Sequence, residues 1–551
     1  MDRGLPLRPP PRPDDAPMVW NGWGEPSRRP GIGRREERVL AELLGGPLPH
    51  TPSVSLDEVA VPDVALPGPV LRRLAGIVGE RHVRTGHLAR VAHATGRSYT
   101  DLVRLRRGDG SSAPDAVVVP ADHREVQRIL EVCAEQDVAV VPFGGGTSVV
   151  GGVNPQRGRR PVVSLDVARL DGLWTLDRQS RTATFGAGTR GGDAELTLGA
   201  QGLTLGHLPQ SVEHATLGGF VASRSVGQAS TGYGRIDDLV LALRVATPAG
   251  SLRVGHIPAS AAGPDLLRAL LGSEGTLGVI TEVTVTVRRA PDRRAFEAWW
   301  LPDVASGQQA LRTLAQEGDA PEVARLSDEP ETRVALAQQS RSARAYVRTR
   351  ARRREGCLLI LGWDGDRRAL AQRRRVARRA LRGAGGRSLG SAPGHAWAAH
   401  RFDTPYLRDD LLDRGVLVET LETAAPWSAL SHVHASLRAA LVGALEERGT
   451  PPQVLTHVSH LYATGASLYV TFLALAEPGA ELDQWAAAKA AATRAILDAG
   501  GTITHHHGVG ADHRRWLDEE VGPVGVAALR GLKDALDPTG ICNPGILLPQ
   551  R

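Results

Sequence analysis

The sequence predicts an α+β fold of more than one domain, and three observations carry that prediction. A strand–helix–strand unit runs from Ala116 to Pro142. A later run, Val279 to Val287, puts Val279, Thr281, Val283, Val285 and Val287 on one face with a period of two. At Pro291-Asp292-Arg293-Arg294 the composition shifts, and helix-like Ala/Arg stretches then alternate with strands to residue 500. A chain of 551 residues, at roughly 150 per domain, has room for about three to four folding units. Hydrophobic residues are 42% and charged residues 23%, which excludes a disordered, collagen-like or coiled-coil chain.

The elements follow in order. Residues 1–17 read as a disordered Pro/Arg-rich tail with no apolar core, unlike a secretory signal. Trp20-Asn21-Gly22-Trp23-Gly24 comes next, with two indoles that are costly to leave in water. The stretch 18–110 reads as mostly helical. Ala116 to Val119 is a short buried strand. Asp122 with Glu125 makes a capping box that opens a helix through Gln136, and Val138 to Val141 is the next strand. Further strand runs are Val162 to Leu165, Thr182 to Phe185 and Leu239 to Leu241. A last helix, Val524 to Leu536, stops at the breaker cluster Asp537-Pro538-Thr539-Gly540. No internal repeat is visible. The longest uncharged stretch, Val454 to Ala476, is too polar to span a membrane. Three cysteines, Cys133, Cys357 and Cys542, make no disulfide framework and fit a reducing compartment.

Of 66 basic residues only Lys489 and Lys533 are lysines, leaving 64 arginines. Codon bias in a GC-rich genome explains this skew better than a binding surface. Aromatics are only 4%, and Arg373-Arg374-Arg375 and Arg378-Arg379 lie on a helix-like stretch, so they read as a solvated face and not as a nucleic-acid site.

The strand ending at Pro142 runs straight into Phe143-Gly144-Gly145-Gly146-Thr147-Ser148. Consecutive glycines let the backbone approach a ligand, and successive N–H groups can form an anion nest beside the two hydroxyls. A pyrophosphate is the natural guest. Val149, Val150 and more glycines follow where a dinucleotide-binding GxGxxG turn would open a helix, which disfavours a Rossmann site. More motifs succeed it: Gln210-Ser211-Val212-Glu213-His214-Ala215-Thr216, Ser223-Arg224-Ser225-Val226, and Glu274-Gly275-Thr276-Leu277-Gly278-Val279-Ile280.

In order and spacing these motifs resemble the vanillyl-alcohol-oxidase-type FAD-binding superfamily. Four elements narrow the likeness to the alkyldihydroxyacetonephosphate synthases: Trp20 to Gly24, Tyr406-Leu407-Arg408-Asp409, Glu422-Thr423-Ala424-Ala425-Pro426-Trp427, and His505-His506-His507-Gly508-Val509-Gly510. The resemblance covers residues 18–551. It implies a two-subdomain PCMH-type FAD-binding domain over 111–290, an α+β cap or substrate domain over 291–504, and an active-site His loop with a C-terminal helix returning to the FAD domain over 505–551. It also implies FAD contacts from Pro142 to Ser148, Gln210 to Thr216, Ser223 to Val226 and Glu274 to Ile280, with Leu277, Val279 and Ile280 against a ring face. The glycine loop offers no His or Cys for covalent attachment, so the FAD is expected to be non-covalent.

Ala466 to Ala474 has the period of two that puts Leu468, Val470 and Phe472 on one face and Ser467, Tyr469 and Thr471 on the other. A phenol on the polar face can hold or move a proton, and Tyr469 falls where the family carries its essential tyrosine. Three adjacent histidines on a strand would alternate, so at most His505 and His507 converge. The resemblance places His505, His506 and His507 in the active site and implies no metal; imidazole, with a pKa of about 6.5, suits proton transfer near neutrality. Arg408 matches the family's substrate-binding arginine, and its fork suits a phosphate. The implied reaction replaces the acyl chain of acyl-dihydroxyacetone phosphate by a fatty alcohol, a step of ether-lipid synthesis with no net redox change. The implied partners are lipid-like phosphate esters, fatty alcohols and a second copy of the chain in a homodimer. A cytoplasmic location in a bacterium, with peripheral membrane contact, completes the expectation.

The rival family is the FAD-dependent D-2-hydroxyacid dehydrogenases, which share the Leu536-Asp537-Pro538 and Asn543-Pro544-Gly545 ending. Their His-x-Gly-Asp-Gly-Asn-Leu-His metal motif corresponds here to Tyr462 through Tyr469, with both ligand histidines replaced by tyrosines. A neutral phenol is a poor ligand for a divalent metal. A flavin-binding or Arg-rich binding protein without turnover is the third reading, against which Arg408, Tyr469 and the histidine triplet stand together.

Overall fold

A computed structural model describes residues 18–352 and 355–549; the expected tail over 1–17 lies outside the described residues. The first sheet has the order Val83–Arg84, Ala116–Val118, Val162–Asp166 and β1 (Ala139–Phe143). Its last three strands are parallel. Helix His123–Glu135 joins Ala116–Val118 to β1 and buries Val126, Ile129, Leu130 and Cys133 against Val118, Val140, Val163 and Leu165. Asp122 caps it by accepting from the Glu125 N–H at 2.8 Å. The other half of the box moves by one residue, because the Glu125 carboxylate accepts from Ala121 N–H at 2.6 Å. The end of the chain also docks here: Val140 donates to Ile541 O and accepts from Asn543 N–H, both at 2.8 Å.

The second sheet is antiparallel, in the order Leu173–Asp177, Thr182–Gly186, β2 (Val279–Thr286), Val240–Thr247 and Gly250–Gly255. Val279, Thr281, Val283 and Val285 are all buried, but not on the one face expected: a register shift between Ile280 and Glu282 leaves Val279 in the core of the first sheet and puts Val283 and Val285, with Ile280, in that of the second. The strand expected from Leu239 starts at Val240 and extends to Thr247, because Ile236–Leu239 closes a helical turn.

A seven-stranded antiparallel sheet forms the rest. Three of its strands build the site: β3 (Val416–Pro426), β4 (Gln453–Leu461) and β5 (Gly465–Leu475), with β5 between the other two. Helices Val304–Gln316, Arg367–Gly383 and Leu430–Glu446 cover one face through Leu311, Leu314, Leu370, Leu381, Leu430 and Val433. Leu468 lies in that core, so the Tyr469 side of β5 faces the other way. The Arg-rich helix is partly neutralised: Arg373 reaches Glu322 at 2.8 Å, and Arg378 reaches Glu297 at 2.5 Å. No described helix is long and apolar enough to cross a membrane. All three cysteines are free and buried.

Candidate active site

β1 delivers the glycine loop against residues 214–216. A Cβ on Gly145 would stand 2.2 Å from the His214 carbonyl oxygen, and one on Gly144 would stand 2.4 Å from Thr216 Oγ1. Gly146 has φ +65°, a left-handed conformation that favours glycine. The backbone N–H groups of Gly144 to Ser148 find no acceptor among the described residues. Gln210 Nε2 and both ring nitrogens of His214 are buried there without partners. Five successive free N–H groups beside Thr147 and Ser148 are the donor set a diphosphate needs, so these residues fit FAD. Gly145→Ala pushes a methyl into backbone atoms that cannot yield; the expected product is folded protein lacking the flavin absorbance band after purification, checked by visible spectroscopy and a thermal melt.

Other expected cofactor residues sit around this cradle with their side chains already committed. Glu213 pairs with Arg28 at 2.6 Å. Arg224, at φ +55°, pairs with Asp237 at 2.6 Å. Ser223 Oγ donates to Gly219 O at 3.0 Å, and Ser225 Oγ is 2.7 Å from His207 Nε2. Val212, Ala215 and Val226 are buried. The expectation that Leu277, Val279 and Ile280 face a ring is corrected: Leu277 and Ile280 pack in the core of the second sheet and Val279 in that of the first. β2 alternates across two packed faces, so apolar side chains there serve the cores. The Glu274 carboxylate likewise turns to the histidine segment, accepting from Val509 N–H at 2.7 Å and Gly510 N–H at 2.8 Å. Burial pushes its pKa up to about 7 against the pull of those two bonds.

The chemical face is a row across three strands. Register sets Glu422 on β3 and His457 on β4 directly opposite Tyr469 on β5. Opposed residues of neighbouring strands share a face, so the three side chains line up. The His457 and Tyr469 rings stack at 5.1 Å between centroids and 21° between planes. Burial, first, raises the Tyr469 phenol above its ordinary pKa, with Glu419 and Glu422 adding to it and the Thr420 hydroxyl opposing. At neutral pH it keeps its proton.

The histidine triplet is not on a strand, and this changes which rings meet. Residues 503–507 form a bend, because Glu422 gathers their backbone. Its carboxylate accepts from the N–H groups of His505 at 2.5 Å, His506 at 3.1 Å and His507 at 2.8 Å, and from the Thr504 hydroxyl at 2.6 Å. His505 and His506, rather than His505 and His507, then converge, with their Nδ1 atoms 3.0 Å apart. Burial would raise the Glu422 carboxyl, but the hydrogen bonds from the Thr504 hydroxyl and three backbone N–H groups hold it well below the carboxylate range. Burial in turn lowers all three histidines, His507 to about 3, so the rings are neutral. Ligand atoms of Glu422, His505 and His506 lie within 4.8 Å of one another, yet the two Nδ1 atoms face each other instead of a common centre.

Arg408 lies on helix Thr404–Leu412. Its Nη1 donates to Arg97 O at 2.6 Å, while Nε and Nη2 are buried with no acceptor. The same helix ties down the N-terminal tryptophan motif. Asp409 accepts from Trp23 N–H at 2.7 Å, and Arg97, fully buried, donates to Gly22 O and Val19 O. Trp23 meets the His214 ring edge-on at 5.6 Å, linking this motif to the FAD cradle.

Sequence reading left four residues without a role. Glu422 stood inside a quoted motif, but its register opposite Tyr469 was not visible. The sequence assigns His457 and His460 no role; His460 sits at a β-bulge with φ +52° and stacks on His505 at 5.6 Å. Tyr462 was noted only as a lost metal ligand, and its hydroxyl is 2.7 Å from His505 Nε2. The signal available was the spacing of His457, His460 and Tyr462 before a strand that carries Tyr469.

Two family models match the chain: an FAD binding domain over residues 114–255 and the C-terminal domain of FAD linked oxidases over 290–547. The chain is 32% identical to an alkyldihydroxyacetonephosphate synthase of Dictyostelium discoideum, over 91% of this chain and 84% of that protein. It is 32% identical to one of Trypanosoma brucei brucei, over 97% and 92%. A solved alkyldihydroxyacetonephosphate synthase superposes with a TM-score of 0.83 at 30% identity, covering 96% of this chain and 98% of the other. The α+β class and the PCMH-type FAD-binding fold expected above are therefore present, and FAD is the cofactor of the fold. The chain belongs to the alkyldihydroxyacetonephosphate synthase family.

Proposed function

We propose that this protein exchanges the acyl chain of acyl-dihydroxyacetone phosphate for a fatty alcohol. The C1–O ester bond breaks and the fatty acid leaves as its carboxylate. The alcohol oxygen forms the new C1–O bond, its proton is released, and no electrons are gained or lost. The observation that carries this reading is the protonated Tyr469 phenol set in a row with Glu422 and His457, beside neutral histidines, where a metal-dependent dehydrogenase needs ligand histidines.

The residues divide the work by chemistry. Arg408, whose buried Nη2 has no hydrogen-bond partner and whose Nε stands 4.0 Å from Asp409, takes the substrate phosphate. Tyr469 moves the proton on the reacting carbon, handing its own to a neighbouring neutral imidazole of His505, His506 or His507. Pro142 to Ser148, Gln210 to Thr216, Ser223 to Val226 and Glu274 to Ile280 hold FAD, several of them through the backbone alone. Bound FAD supplies the reactive ring at which the two chains are exchanged; orienting both substrates there provides much of the rate.

The family models, over 114–255 and 290–547, support a boundary near residue 290; on the same reading 111–290 is the FAD-binding domain, 291–504 the cap, and 505–551 the histidine loop and returning helix. The homodimer and the peripheral membrane contact belong to the same reading; sedimentation and liposome flotation test them.

The deciding assay adds palmitoyl-dihydroxyacetone phosphate and radiolabelled hexadecanol to purified flavoprotein with no electron acceptor. Label is expected in an alkyl ether product. A flavin that incorporates nothing but is bleached by a D-2-hydroxy acid overturns the proposal in favour of the dehydrogenase.

A further inference from the structure

We propose that Tyr462 is a positioning residue that sets the tautomers of His505 and His506, so that His506 offers an Nε2–H to the substrate site. The inference rests on the transferase reading for its purpose, but not for its test.

The argument is one of proton direction. Among the described residues His505 Nε2, at 2.7 Å, is the one hydrogen-bond partner of the Tyr462 hydroxyl. Were the phenol to accept there, its own hydrogen would have no acceptor, so it donates to Nε2. A neutral imidazole that accepts at Nε2 carries its hydrogen on Nδ1. His505 Nδ1 is 3.0 Å from His506 Nδ1, so His506 accepts at Nδ1 and carries its hydrogen on Nε2. That nitrogen has no partner among the described residues. The His506 ring lies nearly parallel to that of Tyr469, 22° between planes and 6.0 Å between centroids.

A competing arrangement explains why the phenol is needed. The nearest Glu422 oxygen is 3.5 Å from His506 Nδ1. With the Tyr462 hydroxyl removed, nothing keeps the hydrogen on His505 Nδ1. The carboxylate then draws the His506 hydrogen to Nδ1, and Nε2 becomes a bare acceptor. Tyr462 therefore determines, through two rings, which nitrogen of His506 carries the hydrogen.

The test is a two-bond proton–nitrogen correlation spectrum of the histidine-labelled holoprotein without substrate, assigned with H505N and H506N. The wild type should show His505 as Nδ1–H and His506 as Nε2–H. Tyr462→Phe keeps the ring and should turn His506 to Nδ1–H, with kcat about tenfold lower and KM unchanged. A wild-type His505 carrying Nε2–H overturns the proposal even if the variant does not fold, as does a variant whose tautomers match the wild type. Absence of transferase activity in a protein with the expected tautomers would instead count against the proposed reaction.

Discussion

Tyr469→Phe should leave a folded, yellow flavoprotein whose alkyl transfer is about a thousandfold slower. Phenylalanine keeps the ring stacked on His457 at 5.1 Å and in edge contact with His507 at 5.8 Å. The loss is confined to one hydroxyl. A positioned acid or base contributes roughly 10²–10⁴-fold to a rate, so turnover should fall by about a thousandfold. Single-turnover label transfer measures it, with the flavin spectrum and melting temperature as controls. Residual activity within tenfold of wild type would remove Tyr469 from the chemistry.

Glu422→Gln should damage both stability and rate. The wild-type carboxylate accepts from three backbone N–H groups and a threonine hydroxyl. An amide keeps one oxygen and points an NH₂ at donors. Leaving a buried donor unsatisfied costs about 1–3 kcal/mol, and the triplet loses the anchor that bends it. The expected result is a lower melting temperature and a kcat loss of about a hundredfold, with Glu422→Asp too short to restore either. The pH dependence separates charge from shape. The folded carboxyl lies well below its unfolded value, so its contribution is complete above that value and is lost as pH falls through the folded pKa. The stability gap between wild type and Glu422→Gln should therefore be flat above about pH 5 and close only below about pH 4. A gap that instead changes between pH 6 and 8 would assign the effect to the histidines.

The parts of this molecule that could be read beforehand were those written in local residue order. The period of two over Ala466 to Ala474 placed the correct faces, since strand geometry alone decides them; over Val279 to Val287 it held only from Val283 onward, because a bulge after Ile280 flips the strand. The glycine loop pointed to an anion site because consecutive glycines let the backbone approach a ligand, and its N–H groups are left without acceptors among the described residues. What stayed hidden depends on pairing between distant segments. Glu422, Tyr469 and His457 form a row only through the registers of β3, β5 and β4. The bend of His505 to His507 depends on a carboxylate 83 residues away, so the assumption of a strand misassigned the converging pair. Leu277, Val279 and Ile280 matched a cofactor motif, yet two packed cores claimed their side chains.

The docking of the chain end onto β1 has a consequence for biosynthesis. Asn543 donates from Nδ2 to Gly152 O at 2.9 Å and Glu274 O at 2.6 Å, clamping the two segments that bracket the cofactor cradle. Ile541 and Asn543 hold Val140, the strand that launches the glycine loop. These residues are translated about four hundred positions after the loop they secure. Until they are made the cradle lacks its clamp, so flavin retention should wait on them. A premature stop codon anywhere in the final helix would abolish cofactor retention while sparing most of the cap.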